Sequence, residues 1–535
     1  MTTTGLLRGF TKTTHGLQIE AFLGVPYAEP PIDDRRFKKP LPKTPWEGEL
    51  KAFLLPPPCI QNVSIQHYWE PEVQNMTEDC LYLNLWVPYS ENNSELKTII
   101  IFIHGGSFEH GSSNMPLYDG TKLAQFGNVI VANFNYRVGV MGFFSAFIEE
   151  VEGNMGFYDQ ILAMRWIKNN AQAFGGDPDN IVLMGQSAGA VSISGHLVSP
   201  LTKRLFNKVI LQSGAATVPV ITEDNMKLRN SSQNIAAMVG CADDKEFNLK
   251  NNPKLVLECL KALPASVLST AEGRIMEKNK IVFLPRVGDR YLPELAIKYL
   301  HKGTFSDFPM LIGINQDEGP FFLAASLPQL FPRSKQTKAI TKTLAHSLVQ
   351  GIFSITEQKN EQDIADHFIK SVVNGTSDDY SRAIAMSFGD YLITCSVLFH
   401  AELHSMRNDV YFYVFDRRGS SSPNADWMGT THFDEVQYVF GNPLFLNFTQ
   451  QEKGFSHRVM ARWVAFAKTG NPNIPSEETW PLFKYENQQF IVLKDREIVM
   501  SRPDNYRCEF WRDRCQAQIS DEIIHRLTTA SSRAM

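Results

Sequence analysis

The chain has 535 residues, 20% of them charged, with a net charge of -5 and no long run of one sign. That balance excludes a basic nucleic-acid groove and a polybasic membrane patch, and the length leaves ample chain for a deep core. No stretch of 18 apolar residues appears, Met1-Thr-Thr-Thr-Gly5 lacks an apolar signal region, and the tail from Thr528 to Met535 is short and polar, so no transmembrane segment is expected.

Residues 6 to 27 read as paired strands, with apolar alternation in Leu17-Gln-Ile-Glu-Ala-Phe-Leu after a His15-Gly16 turn. Proline-rich loops follow at 30–44 and 55–58. From residue 81, short apolar runs bounded by turn residues take over, at 81–87, 98–103 and 129–134. Continuous apolar strands of this kind belong in a sheet covered on both faces. Residues 159–173 have helical periodicity, 181–184 form the next strand and 188–197 the next helix. Runs at 209–212, 309–314 and 410–415 continue the strand series, whereas 220–300 and 325–405 lack them and read as helical insertions. No repeat or composition shift marks a linker, so the expectation is one α/β domain over 1–535 with its core at about 5–515.

The run from Ile181 to Met184 passes straight into Gly185-Gln186-Ser187-Ala188-Gly189, a G-x-S-x-G pentapeptide. The pattern predicts a strand, a sharp turn and a helix with Ser187 at the apex. A side chain at Gly185 or Gly189 would clash where the backbone reverses. A serine hydroxyl becomes a nucleophile only when a base takes its proton, and the base needs an orienting carboxylate. In the α/β-hydrolase arrangement the order is serine, acid, histidine, each on a loop after a strand. Asn315-Gln316-Asp317-Glu318-Gly319 follows one strand and offers two carboxylates, and His432 follows the strand at 410–415. Ile99 to Ile103 ends in His104-Gly105-Gly106-Ser107, the place where esterases put backbone N–H groups for an oxyanion, and the N–H of Ala188 adds another.

Seven cysteines, at 59, 80, 241, 259, 395, 508 and 515, lack C-x-x-C spacing, and no metal ligand set stands out. Cys59 with Cys80 and Cys241 with Cys259 would each close a loop of about 20 residues, and one cysteine of the seven stays unpaired. Six N-x-S/T sequons lie at Asn62, Asn75, Asn92, Asn230, Asn374 and Asn447. Cysteines and sequons together point to a secreted or extracellular protein whose signal peptide is removed or replaced here.

Beyond the elbow, Arg36-Phe37, Glu78-Asp79-Cys80-Leu81-Tyr82-Leu83-Asn84, Asn135-Tyr136-Arg137-Val138-Gly139, Phe174-Gly175-Gly176-Asp177-Pro178, Gln212-Ser213-Gly214 and Asp317-Glu318-Gly319 are similar to signatures of one family. From about Gly5 to Trp511 the chain resembles the type-B carboxylesterases and cholinesterases. The resemblance implies an α/β-hydrolase fold: a large, mixed, mostly parallel sheet flanked by helices, with helical insertions. It implies Ser187 as nucleophile, Glu318 rather than Asp317 as acid, His432 as base, and Gly105, Gly106, Ser107 and Ala188 around the oxyanion. It also implies disulfides Cys59–Cys80, Cys241–Cys259 and Cys395–Cys508, with Cys515 free, and a structural ion pair between Arg36 and Glu78. The implied reaction is hydrolysis of a small-molecule carboxylic ester through an acyl-enzyme, with no cofactor.

Several departures bear on substrate. Ser107 stands where the family usually has a third glycine, so its N–H donates only if the backbone tolerates the added Cβ. Gln186 replaces the acidic residue usual before the nucleophile. Trp69 resembles the indole that holds quaternary ammonium in cholinesterases, with one residue inserted before Cys80. Phe321 and Phe322 resemble aromatic gorge positions, core packing being the competing reading. Val220 stands where cholinesterases have an acyl-pocket tryptophan and Glu109 where a gorge tyrosine is expected. The expectation is a broad carboxylesterase. One alternative is a choline-ester hydrolase, motivated by Trp69 and Phe321. The other is an adhesion or ligand-binding relative without turnover, which the retention of all three triad candidates disfavours.

Overall fold

The computed structural model describes residues 1–14, 17–62, 75–89, 95–218, 225–243, 245–279, 283–334, 339–356, 360–444, 448–502, 505–515 and 523. Of the residues singled out above, Trp69, Val220, Asn92 and Asn447 lie outside them. The chain divides into two compact units, residues 1–209 with 221–295, and residues 210–220 with 296–535. Eleven strands belong to one large mixed sheet flanked by helices.

The first unit carries strands β1 Leu6–Arg8, β2 Phe10–Thr14, β3 Leu17–Pro26, β4 Glu49–Lys51, β5 Tyr82–Pro88, β6 Lys97–Ile103, β7 Ile130–Phe134 and β8 Gly176–Gln186. Its large-sheet strands run in the order β8-β6-β7-β5-β3-β2. β6 pairs in parallel with β7 and β8, while β2, β3, β5 and β7 pair antiparallel. The whole of β6 is buried, as expected for a strand covered on both faces. One expectation changes here: β1 does not join the β2–β3 hairpin but pairs in parallel with β4 as a separate two-stranded sheet. A three-residue strand such as β4 carries too little alternation to be read from sequence. Helices α1 Thr121–Gly127, α2 Gly139–Phe143, α3 Met155–Asn170, α4 Ala188–Val198, α5 Asn225–Met238, α6 Pro253–Ala262 and α7 Ala265–Asn279 complete this unit. Arg36 lies buried in a bidentate pair with Glu78, 2.6 Å for both contacts, and its remaining nitrogen donates to the carbonyls of Leu260, Lys261 and Leu263.

Strand β9, Lys208–Gln212, crosses the boundary between the units in sequence. The second unit continues with β10 Met310–Asn315, β11 Val410–Phe415, β12 Gln489–Leu493 and β13 Ile498–Ser501, in the order β13-β12-β11-β10-β9. β10, β11 and β12 are parallel and β13 closes the edge antiparallel. Strands β12 and β13 carry no expectation from sequence, and β13 is largely exposed and so lacks an apolar pattern. Its helices are α8 Ala296–Lys302, α9 Gly319–Ser326, α10 Lys342–Ile355, α11 Glu361–Ile369, α12 Ser377–Gly389, α13 Cys395–Ser405, α14 Val436–Val439, α15 Gln450–Thr469 and α16 Asn505–Arg512. Thr376 and Thr449 start α12 and α15 with capping boxes, exchanging hydrogen bonds with Asp379 and Glu452. A π-turn over Asp390–Thr394 joins α12 to α13, so that Ser377–Ser405 is one helix of 29 residues. It is long and apolar enough to span a membrane, yet 83% of its most apolar window is buried, the signature of a core helix.

Cysteines 59 and 80, 241 and 259, and 395 and 508 form disulfides, and Cys515 is free and buried. Among the sequons, Asn75, Asn230 and Asn374 are exposed. Asn62 is half-buried, and its amide nitrogen lies 2.4 Å from where a Cβ on Gly273 would stand, so its side chain rests against α7.

Candidate active site

Six consecutive buried residues of β8, Ile181 to Gln186, deliver the chain to Ser187, which adopts φ 54° and ψ -125° immediately before α4. The reversal is possible because both flanking glycines lack a Cβ. One on Gly185 would lie 2.6 Å from the Gly189 carbonyl carbon, and one on Gly189 would lie 2.0 Å from the Ile103 oxygen. No L-residue contact of that length is tolerated, so the pentapeptide glycines are sterically required. The carbonyl of Ser187 accepts the N–H of Val191 at 2.9 Å, which makes Ser187 the N-cap of α4 with its hydroxyl half-exposed.

The end of β6 runs alongside this turn. A Cβ on Gly105 would stand 3.0 Å from the Ser187 Cβ and 2.7 Å from the Gln186 carbonyl, so the absence of a side chain there lets the two loops touch. Gly106, Ser107 and Phe108 follow with φ of 108°, 56° and 64°. Ser107 thus takes the left-handed conformation that glycine would adopt freely, and the backbone has accommodated its Cβ. The N–H groups of Glu109 and His110 bond back to the Gly106 carbonyl at 2.9 and 3.1 Å, closing a tight loop in which Glu109 is buried. Beneath it His104 stacks on Tyr136 at 4.4 Å, and burial lowers its pKa to about 4, so this imidazole stays neutral. The side chain of Gln186 is buried, its Oε1 2.9 Å from the place of a Gly105 Cβ, so it lies under the H-G-G loop.

In the second unit, the loop after β10 presents Glu318. One carboxylate oxygen accepts from His432 Nδ1 at 2.6 Å, and the other accepts the Ser213 hydroxyl at 2.6 Å and the Asn315 N–H at 2.7 Å. Both members of the Glu318–His432 pair are buried. With a carboxylate at Nδ1, that nitrogen carries the proton and Nε2 is left basic. The neighbouring carboxylate does a different job. Asp317 accepts the Thr430 N–H at 3.0 Å and bridges to Thr431, tying the His432 loop to the β10 loop, and burial raises its pKa. Phe321 and Phe322, at the start of α9, place their rings 5.4 and 4.8 Å from the His432 ring, so both pack on the imidazole.

Ser213, Asn315 and Glu435 take part although nothing in the sequence singled them out as site residues. Asn315 Nδ2 donates to the Thr431 carbonyl at 2.8 Å and to Glu435 Oε2 at 2.7 Å, and Gln212 donates to Glu435 Oε1 at 3.0 Å. Burial raises the Glu435 carboxyl above its usual range, and it pushes that of Asp434 up to about 8. The available signal was position: Ser213 and Asn315 stand at or just past the carboxyl ends of β9 and β10, where ligand-facing residues of such sheets gather. Among the described residues no group of His, Cys, Asp and Glu is placed to hold a metal ion.

A family model described as the carboxylesterase family matches residues 1–511. The chain is 36% identical over 527 residues to acetylcholinesterase-1 of Trittame loki, covering 96% of this chain and 93% of the relative. It is 35% identical over 543 residues to the acetylcholinesterase of Leptinotarsa decemlineata, covering 96% and 85%. It is 33% identical over 529 residues to the cholinesterase of Mus musculus, covering 96% and 86%.

Proposed function

The chain belongs to the carboxylesterase family and is a serine carboxylic-ester hydrolase, and from that premise we propose that Ser187, His432 and Glu318 carry its reaction. The observation that most supports this reading is the buried 2.6 Å contact between His432 Nδ1 and Glu318. Ser187 Oγ attacks the ester carbonyl while His432 Nε2 takes its proton. Backbone N–H groups of Gly106, Ser107 and Ala188 receive the oxyanion, Gly105 letting their two loops touch. The tetrahedral species collapses, the C–O bond to the alcohol breaks, and His432 returns the proton to the leaving alkoxide. Water, activated by the same imidazole, then attacks the acyl-enzyme and releases the acid and free Ser187. Glu318 holds the imidazole in the tautomer that keeps Nε2 basic. We also propose that the catalytic domain is the whole chain.

As preferred substrates we propose uncharged carboxylic esters. Gln186 supports this, because an amide exerts no net attraction on a cation where a carboxylate would. The competing reading, choline-ester hydrolysis, is favoured by the names of the three relatives and by the aromatic pair Phe321 and Phe322 beside His432. A quaternary ammonium on an aromatic face gains roughly 0.5–2 kcal/mol, a factor of about 2 to 30. Comparing kcat/KM for a choline ester and its uncharged carbon isostere decides between them. Equal values favour the broad esterase, and a preference above about tenfold for the cation overturns it. Ser187→Ala tests the nucleophile itself: short-chain aryl-ester turnover is expected to fall by about 10⁴ or more, and wild-type turnover would sink the triad. We further propose an extracellular location, supported by the three disulfides, which persist in oxidising compartments.

A further inference from the structure

The loop that carries Glu318 is crossed closely by a second helix. Gly319, directly after Glu318, opens α9, and this first turn lies against the end of α12 with no side chain between them. A Cβ on Gly319 would stand 1.7 Å from the Ala385 oxygen. From the other side, a Cβ on Gly389 would stand 2.5 Å from the Gly319 nitrogen, 2.7 Å from its Cα and 3.4 Å from the Glu318 carbonyl carbon. The two backbones therefore meet at a glycine–glycine crossing centred on the peptide that joins Glu318 to Gly319. Glycine is a poor helix residue, and here it ends α12 just before the π-turn over Asp390–Thr394. That turn is held from outside. Asp390 pairs with Arg507 at 2.8 and 3.1 Å, and Cys395 is bonded to Cys508, so α12 has little freedom to retreat.

We propose that Gly389 is a positioning residue for catalysis, which sets the place of the Glu318 carboxylate by letting α12 touch the Glu318–Gly319 peptide. The proposal rests on the reading of Glu318 as the triad acid. A methyl group at 389 displaces that peptide, and the carboxylate has no slack to absorb the shift: its contacts to His432, Ser213 and Asn315 are 2.6, 2.6 and 2.7 Å. Substrate binding does not use these contacts, so the loss falls on kcat rather than on KM.

The test is Gly389→Ala in the full chain, assayed on an uncharged aryl ester, with rates expressed per folded molecule as judged by size exclusion and tryptophan emission. The expected result is a kcat lower by about 10- to 100-fold with a KM within about twofold. A purely architectural role for Gly389 would reduce yield and melting temperature while leaving kcat per folded molecule at its wild-type value, and that outcome overturns the proposal. Should Gly389→Ala not fold, Asp390→Ala decides: it adds no bulk but removes the pairing of the π-turn with Arg507, and a wild-type kcat per folded molecule in that variant also overturns the idea. Glu318→Gln separates the two readings. If it retains wild-type kcat, the acid assignment and this proposal both fall; if it is impaired while Gly389→Ala is not, only the positioning role falls.

Discussion

Ser187 and Glu318 are each held by the absence of something beside them. At Gly189, a single methyl group would meet the Ile103 oxygen at 2.0 Å, with strand on one side and helix on the other. Gly189→Ala is therefore expected to unseat the elbow, giving insoluble protein or a soluble form without esterase activity, as expression and an aryl-ester assay would reveal. For the acid, two adjacent carboxylates were available and geometry separates their tasks. Glu318 touches the imidazole, whereas Asp317 accepts a backbone N–H of the next loop. Asp317→Asn keeps an acceptor for Thr430 and is expected to lower kcat by less than about tenfold, while Glu318→Gln leaves the imidazole without a counter-charge and is expected to cost about 10² to 10⁴ in kcat. Equal losses in the two variants would contradict this division. The triad candidates were legible because chemistry restricts them to a few residue types in a fixed order. Ser213, Asn315 and Glu435 were not, since a serine, an amide or a buried acid acquires such a role only from what the fold brings beside it.

Elements with a long apolar pattern were easy to read, and short or exposed ones were not. β6, β7, β10 and β11 are buried throughout and appear in the sequence as mostly apolar runs, interrupted only by Lys97 and Thr98, Asn133 and Asn315. The partner of β1 was missed because pairing with the distant β4 leaves no local trace. Helix Ser377–Ser405 likewise gave no sign of its π-turn, at which Tyr391 is buried and Asp390 pairs with the distant Arg507. Crosslinks act at this scale as well. Cys395–Cys508 spans 113 residues and Cys241–Cys259 spans 18. Loop-closure entropy then predicts that removing the longer link, as the double serine variant, destabilises by about 1.6 kcal/mol more than removing the shorter. Urea midpoints of the two variants measure this, and the reverse ranking would show that native-state contacts outweigh chain entropy.

Stability of the whole molecule carries a pH signature from groups that catalysis does not use. Glu272 is buried against the N–H of Val140, and burial pushes its carboxyl up to about 8 from the usual 4.5. A raised folded-state value means that the folded form keeps the proton while the unfolded chain has lost it. The contribution is fully present below 4.5 and is lost as pH rises through about 8, with a slope of at most about 1.4 kcal/mol per pH unit. Melting temperature should therefore fall from about pH 5 to about pH 8, and Glu272→Gln should flatten part of that fall. Asp434, also raised to about 8, acts in the same direction, so the flattening is incomplete. An unchanged slope in Glu272→Gln would remove Glu272 from the account.

By itself the sequence determined the α/β class, the main runs of the strand series and the serine pentapeptide between strand and helix. Each of these is a local pattern: periodicity records burial, and G-x-S-x-G records a turn that no other residues can make. What only the tertiary structure decided is which groups meet. Asn315 joins the Thr431 carbonyl to Glu435, Phe321 and Phe322 lie on the His432 ring, and Gly389, 71 residues beyond Glu318, meets the Glu318–Gly319 peptide. Contacts between distant segments arise from packing of the folded chain and have no spacing in the linear one, and for that reason they could be found only in three dimensions.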